Sequence, residues 1–334
     1  MLRTLLLFVC LTAFFPAYGA EPCTSATPTC TEWVNLDNSA RALIYRTYPL
    51  GKKNNKITRA LVVIHGAGRN ADNYFRTALA AAFLAGAFED TIVISPRFAS
   101  NNGRGCNDQL GPNEINWSCS GDSWRSGGAA TDNNKLTSYD LMDEILRKLA
   151  RKEAFPNLKV IVVSGHSAGG QYVTRYEMAN RVHDTLGIPI NYVVSNPSSY
   201  AYVDPERPGG NNSELRAFGD ARNCTTYDNW PYGLKNRGGY TANIPDDQLK
   251  KQLAARGATY LLGELDILPL GGFDSSCPAM AQGSTRLARG QAFVSYVNQK
   301  YNAQHKVIVI PLCGHNARCM FTADLALPVL FPKV

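Results

Sequence analysis

Residues 157–172 read Asn-Leu-Lys-Val-Ile-Val-Val-Ser-Gly-His-Ser-Ala-Gly-Gly-Gln-Tyr. The apolar, β-branched run from Val160 to Val163 predicts a short buried strand, and a helix-compatible stretch follows the turn Gly165-His166-Ser167-Ala168-Gly169. Strand, small-residue turn and helix are what a G-x-S-x-G elbow needs to present a serine above a sheet edge. Gly165 and Gly169 belong there because a Cβ would collide with the neighbouring strand or helix. A chance match in a Gly-rich chain is the competing reading. A base, an acid and an oxyanion site elsewhere in the chain would separate the two.

A serine hydroxyl is a poor nucleophile at neutral pH and needs a histidine oriented by a carboxylate. The chain has five histidines. His65 and His166 lie in glycine-bearing turns, His183 ends a helix, and His305 precedes its strand, at the wrong end of a parallel sheet. His315 follows the strand 306–310 after Pro311-Leu-Cys-Gly314, at the carboxyl end where such sites gather. It is the candidate base, against the reading of a structural histidine. Leu261-Leu-Gly-Glu-Leu-Asp-Ile-Leu-Pro269 leaves another strand, and its Gly-x-x-Asp spacing nominates Asp266 as the acid. Glu264 is the runner-up and Asp274 lies further along. Two N–H donors for an oxyanion come from Ala168, after the serine, and Ala67 in His65-Gly66-Ala67-Gly68, with Gly66 next. An ordinary Gly-rich βα turn is the plainer reading of that segment. His65 is expected to hydrogen-bond within it and transfer no proton. Neither glycine cluster matches a nucleotide-binding pattern, so no cofactor is implied.

The rest of the chain alternates strands and helices. Strands are expected at 41–50, 59–64, 91–95, 191–195, 258–262 and 306–310. Helices are expected at 71–87, 138–152, from the elbow to 182, at 247–255, at 284–302 and at the end of the chain. In the helix 138–152, Leu141, Ile145, Leu146 and Leu149 share one face. Near-continuous apolar strands predict an α/β fold with a mostly parallel sheet covered on both faces. Residues 97–132 form a long loop with Trp117 and Trp124, and residues 197–245 break the rhythm as a cap-like insertion after strand 6. The chain is read as one domain over 21–334.

Residues 1–20 combine an early Arg3, an apolar run and small residues at the end, the pattern of a secretory signal peptide. That run is shorter than the roughly 20 residues a membrane span needs, so no stable membrane anchor is expected. Without Cys10, eight cysteines remain. Proximity pairs Cys23–Cys30, Cys106–Cys119 and Cys313–Cys319, leaving Cys224–Cys277. No zinc-ligand spacing occurs, so no metal is expected. A hydrophobic share of 45% against 18% charged residues permits a large core. The formal charge of +7 comes from scattered basic residues, which argues against a nucleic-acid partner. Asn116-Trp-Ser, Asn211-Asn-Ser and Asn223-Cys-Thr fit the N-glycosylation pattern.

Together, His65-Gly-Ala-Gly68, Gly165-His-Ser-Ala-Gly169, Gly263-Glu-Leu-Asp266 and Gly314-His315 resemble the α/β-hydrolase superfamily over about residues 40–332. Secretion and the His-Gly-x-Gly loop look like its esterases, among them polyhydroxyalkanoate depolymerases and feruloyl or acetylxylan esterases. The resemblance implies Ser167 as nucleophile, Asp266 as acid and His315 as base. The tract 196–232 is longer than a minimal member's loop, which leaves the substrate open. Its surroundings offer Tyr200, Tyr202, Tyr227, Trp230, Tyr232 and Tyr240, either as pocket lining or as an aromatic mini-core. Three readings follow: a secreted monomeric esterase on a small-molecule or polymeric ester, a peptidase or amidase with the same machinery, and a non-catalytic binding protein on a hydrolase scaffold.

Overall fold

The computed structural model describes residues 21–103, 105–119, 123–209 and 214–334. The signal-peptide reading of residues 1–20 and the glycosylation pattern at Asn211 fall outside them.

The strands are β1 (Thr31–Asn35), β2 (Arg41–Arg46), β3 (Arg59–Ile64), β4 (Thr91–Pro96), β5 (Val160–His166), β6 (Ile190–Ser195), β7 (Glu206–Pro208), β8 (Leu215–Ala217), β9 (Ala258–Gly263) and β10 (Lys306–Ile310). Eight of them form one sheet in the order β1-β2-β4-β3-β5-β6-β9-β10, while β7 and β8 make a separate hairpin. The pairs β1–β2 and β2–β4 are antiparallel and the others in the sheet are parallel. From β3 the chain steps to β4 on one side and then crosses back to β5 on the other. The carboxyl ends of β3 and β5 therefore flank a topological switch point, where crevices open in sheets of this kind.

The helices are α1 (Ala71–Leu84), α2 (Ser138–Leu149), α3 (Ala168–Ala179), α4 (Asp246–Ala255), α5 (Cys277–Met280), α6 (Arg286–Tyr301), α7 (Ala317–Thr322) and α8 (Leu327–Leu330). Alternation along each strand sends neighbouring residues to opposite faces. Val62, Ile64, Val163, Val194 and Leu262 join α2, α3, α4 and α6 in one core cluster. Leu61, Val63, Val162, Val193 and Leu261 join α1, α7 and α8 in the other. Both sheet faces are thus covered, which is why the strands read as unbroken apolar runs. In α2 the expected residues Leu141, Ile145, Leu146 and Leu149 are all buried, and Thr137 and Asp140 form a capping box at its start.

Several boundaries differ from the expectations for local reasons. The strand expected over 41–50 stops at Arg46, short of Pro49. The helix expected to 87 ends at Leu84, before Gly86 at φ 62°, a left-handed conformation that stops a helix. The helix after the elbow ends at Ala179 rather than 182, and Asn180 caps it. β1 is not among the expected strands; only Val34 of its five residues is buried, so it carries no periodic signal. The four expected disulfides are the four pairs present.

The two irregular regions have different uses. In loop 97–132, Trp117 and Trp124 are buried, and Phe98 and His65 lie 5.0 Å from the Trp124 ring centre. In 197–245, Tyr200, Tyr202 and Tyr240 are buried; Tyr200 stacks on Phe293 and Tyr202 on Tyr296 of α6. The mini-core is therefore the alternative that holds for these three.

Candidate active site

Ser167 sits between β5 and α3 at φ 59° and ψ −119°, a backbone state that costs on the order of 1–3 kcal/mol outside glycine. Its N–H donates to the Ser195 carbonyl at 2.9 Å, which ties the turn to the end of β6. A Cβ on Gly165 would lie 2.4 Å from the Gly169 carbonyl oxygen, and one on Gly169 would lie 2.2 Å from that of Ile64. Both glycines are obligatory because the turn is pressed between two backbones.

His315 reaches this serine from the loop after β10. Its Nε2 accepts from the Ser167 hydroxyl at 2.9 Å, and its Nδ1–H donates to Asp266 Oδ2 at 2.8 Å. Asp266 is 2% exposed and follows β9, its N–H turning back to the Gly263 carbonyl at 3.1 Å. The Gly-x-x-Asp spacing is that turn. Glu264, the runner-up, is exposed and accepts from the Leu312 N–H at 2.9 Å. Asp274 accepts from the Tyr232 hydroxyl at 2.8 Å. Neither bonds His315. Cys313–Cys319 brackets the histidine, and Asn196 joins three strand ends, accepting from the Gly263 N–H at 2.8 Å and donating to the Gly314 carbonyl at 3.2 Å.

On the opposite side of Ser167 lies the turn after β3, closed by the Arg69 N–H on the Gly66 carbonyl at 3.2 Å. A Cβ on Gly66 would sit 3.6 Å from Ser167 Cβ, so this backbone lies against the serine. Ala67 is exposed at the tip of the turn, and Ala168 opens α3, where an N–H has no partner within the helix. Buried His65 donates from Nδ1–H to the Gly66 carbonyl at 2.8 Å and accepts at Nε2 from the Phe98 N–H at 3.1 Å. Desolvation lowers its pKa to about 4, so it is a neutral strut.

Three further side chains were not flagged by the sequence as parts of the site. The His166 ring lies 4.7 Å from that of His315, its Nδ1 pairs with the Tyr74 hydroxyl at 3.1 Å, and burial holds its pKa well below the usual value. Arg286, 1% exposed, donates to Asp266 Oδ1 at 3.1 Å. No motif marks Tyr74 or Arg286, because a Tyr on a helix or an Arg at a helix start has no local signature, while His166 fills an unrestricted position of the elbow motif.

The groups open into a cleft of about 610 Å³ lined by Gly66, Ala67, Asn73, Ser167, His315 and Arg318 among others. None of the six aromatic residues of the insertion lines it. A second cleft, of about 560 Å³ near Asn35–Arg41, has no histidine in its wall. Among the described residues, no group of three or more His, Cys, Asp or Glu side chains is placed to hold a metal ion.

A serine on a strained strand-to-helix turn, at the switch point of a mostly parallel sheet, defines a hydrolase-type α/β protein. The chain belongs to the alpha/beta hydrolase family, whose model matches residues 61–326. No curated protein is similar enough to count as a match. Poly(aspartic acid) hydrolase-1 from Sphingomonas sp. KT-1 superposes with a TM-score of 0.65 at 21% identity, covering 90% of this chain and 97% of that one. LpqC, a poly(3-hydroxybutyrate) depolymerase from Bordetella parapertussis, superposes with a TM-score of 0.59 at 21% identity, covering 89% of this chain and 86% of that one. At such identity the likeness concerns the fold.

Proposed function

We propose that this chain is an exported serine hydrolase that cleaves carboxylic esters through Ser167, His315 and Asp266. The observation that carries the reading is the hydrogen-bonded line Asp266–His315–Ser167, at 2.8 and 2.9 Å, ending on a serine at φ 59°. His315 Nε2 takes the Ser167 proton as the oxygen attacks the ester carbonyl. The N–H groups of Ala168 and Ala67, with Gly66 behind, receive the developing oxyanion, helped by the amino end of α3. His315 then protonates the departing alcohol, leaving an acyl-enzyme. It next draws a proton from water, and the acid leaves. Asp266 keeps Nδ1 protonated and balances the imidazolium. Export is supported by the pattern of residues 1–20 and by four disulfides, and residues 21–334 are read as the mature, monomeric unit.

A second reading, amide cleavage by the same groups, draws support from the likeness to a hydrolase whose name specifies poly(aspartic acid), an amide polymer. The likeness to a depolymerase of a polyester supports the first. A fluorophosphonate probe should label the wild-type protein and not Ser167→Ala. Absence of labelling in folded wild-type protein would sink both readings. A panel of acyl esters, polyesters and peptides then separates them, ester turnover exceeding amide turnover if the first holds.

A further inference from the structure

Arg286, the first residue of α6, sends its donors to two segments, reaching the loop after β9 at two points and Ser198 after β6. Nη1 donates to Asp266 Oδ1 at 3.1 Å, Nη2 to the Gly271 carbonyl at 3.0 Å, and Nε to Ser198 Oγ at 2.6 Å. The Phe273 ring covers the guanidinium at 5.2 Å. The arginine thus holds the acid by the oxygen that His315 does not use. It also holds Gly271, against which the imidazole edge leans, since a Cβ there would lie 3.0 Å from His315 Cδ2. Arg289, one turn on, donates to the carbonyls of Ser198 and Asp274 and so braces the same loop.

This placement is costly. A cation at a helix amino terminus opposes the helix dipole, and burial lowers the Arg286 pKa while Asp266 pulls it back up. A buried ion pair rarely stabilises a fold more than apolar side chains of similar volume would. The return for the cost lies in what the pair does to His315.

We propose that Arg286 is a positioning residue for the reaction, fixing the Asp266 carboxylate toward His315 and limiting how strongly that carboxylate favours the protonated imidazole. The proposal rests on the serine-hydrolase reading of the site. Among the described residues, the groups facing His315 are few. Asp266 comes from the acid loop with Arg286 behind it, and neutral His166 from β5, itself paired with the Tyr74 hydroxyl of α1. Arg318 lies exposed on α7, and Glu264 is turned onto the Leu312 N–H. Of the cations among them, Arg286 alone bonds the carboxylate. Removing it leaves the Asp266 charge uncompensated toward the imidazole, so the protonated imidazole persists to higher pH.

The test is a kcat and KM measurement across pH on a soluble ester, with melting temperatures. Arg286→Met should lose on the order of 10- to 100-fold in kcat, with KM within about twofold. The acid limb of its kcat/KM profile should move up by about one pH unit. Arg286→Lys, which keeps the charge and loses the fork, should return the acid limb to the wild-type position while kcat stays several-fold low. An unmoved limb in an Arg286→Met protein that melts like wild type would reduce the arginine to a structural brace and overturn the proposal. If the methionine variant does not fold, wild-type kcat in Arg286→Lys overturns it alone. Absence of fluorophosphonate labelling in the wild-type protein would instead remove the parent reading, and the proposal with it.

Discussion

The two segments flanking Ser167 are fixed by opposite means. The turn from His65 to Arg69 is tied to loop 97–132 through backbone partners: His65 bonds Gly66 and Phe98, and Arg69 donates to the Phe98 carbonyl at 2.7 Å and to that of Ser118. No carboxylate bonds this turn among these contacts, and its one charge is positive. The acid loop, 264–274, is held by the buried Asp266–Arg286 ion pair and turns Leu265, Ile267, Leu268 and Leu270 to solvent. The segment proposed to receive a transient negative charge carries a cation, Arg69, and takes its bonds from backbone groups. The segment that carries Asp266 is given its counter-charge by Arg286 of α6. On the proposed reading, charge is arranged around the serine before any substrate arrives, which is the condition for electrostatic catalysis.

The largest expected effect tests the charged side. Asp266→Asn should lower kcat on a soluble ester by about four orders of magnitude, because an amide favours the wrong imidazole tautomer. Glu264→Gln keeps an oxygen for the Leu312 N–H and should cost less than about threefold. Similar losses in the two variants would break the assignment of the acid.

The uncharged side is tested by pH. The His65 pKa in the folded chain is about 4, below its ordinary value near 6.5. Between those values the unfolded chain binds a proton that the folded chain refuses, so the His65 contribution to stability is full above pH 6.5 and lost as pH falls toward 4. The size is about 3 kcal/mol. His166 acts in the same direction. In His65→Gln the amide can still donate to Gly66 and accept from Phe98, and the urea-derived stability should fall less between pH 7 and pH 4.5 than in wild type. Identical slopes would mean that the turn is not held by a neutral histidine.

The same contrast explains what could be read from the sequence. The elbow and the proposed acid and base each follow a strand, and their local geometry is tight: a Cβ on Gly165 or Gly169 would meet backbone at under 2.5 Å, and Asp266 ends a four-residue turn. Such positions are legible because substitution there is forbidden locally. Arg286 reaches Asp266 across 20 residues and Tyr74 reaches His166 across 92, so their pairing is a property of the folded sheet and no window of sequence contains it. The insertion misleads for a related reason. Its aromatics suit a pocket or a core equally well, and for Tyr200 and Tyr202 packing against Phe293 and Tyr296 of α6 selects the core.

The smallest expected effect concerns the apolar rim beside the acid loop. Leu312 is 80% exposed and sits at φ 57°, a left-handed conformation that asparagine adopts far more readily than leucine. Its side chain gains little from burial there, and its N–H is already held by Glu264. Leu312→Asn should therefore keep or raise the melting temperature, by up to about 1 kcal/mol in stability. If the rim meets the acyl or alkyl part of a substrate, the same variant should lose about threefold in kcat/KM on long-chain esters and nothing on acetyl esters, since one exposed leucine offers only part of the ~1.5–3 kcal/mol of full burial. A chain-length profile unchanged from wild type would assign the leucine no part in substrate contact. A fall in stability would show instead that its strain is offset by packing, and the two flanks of Ser167 would then differ less than their exposures suggest.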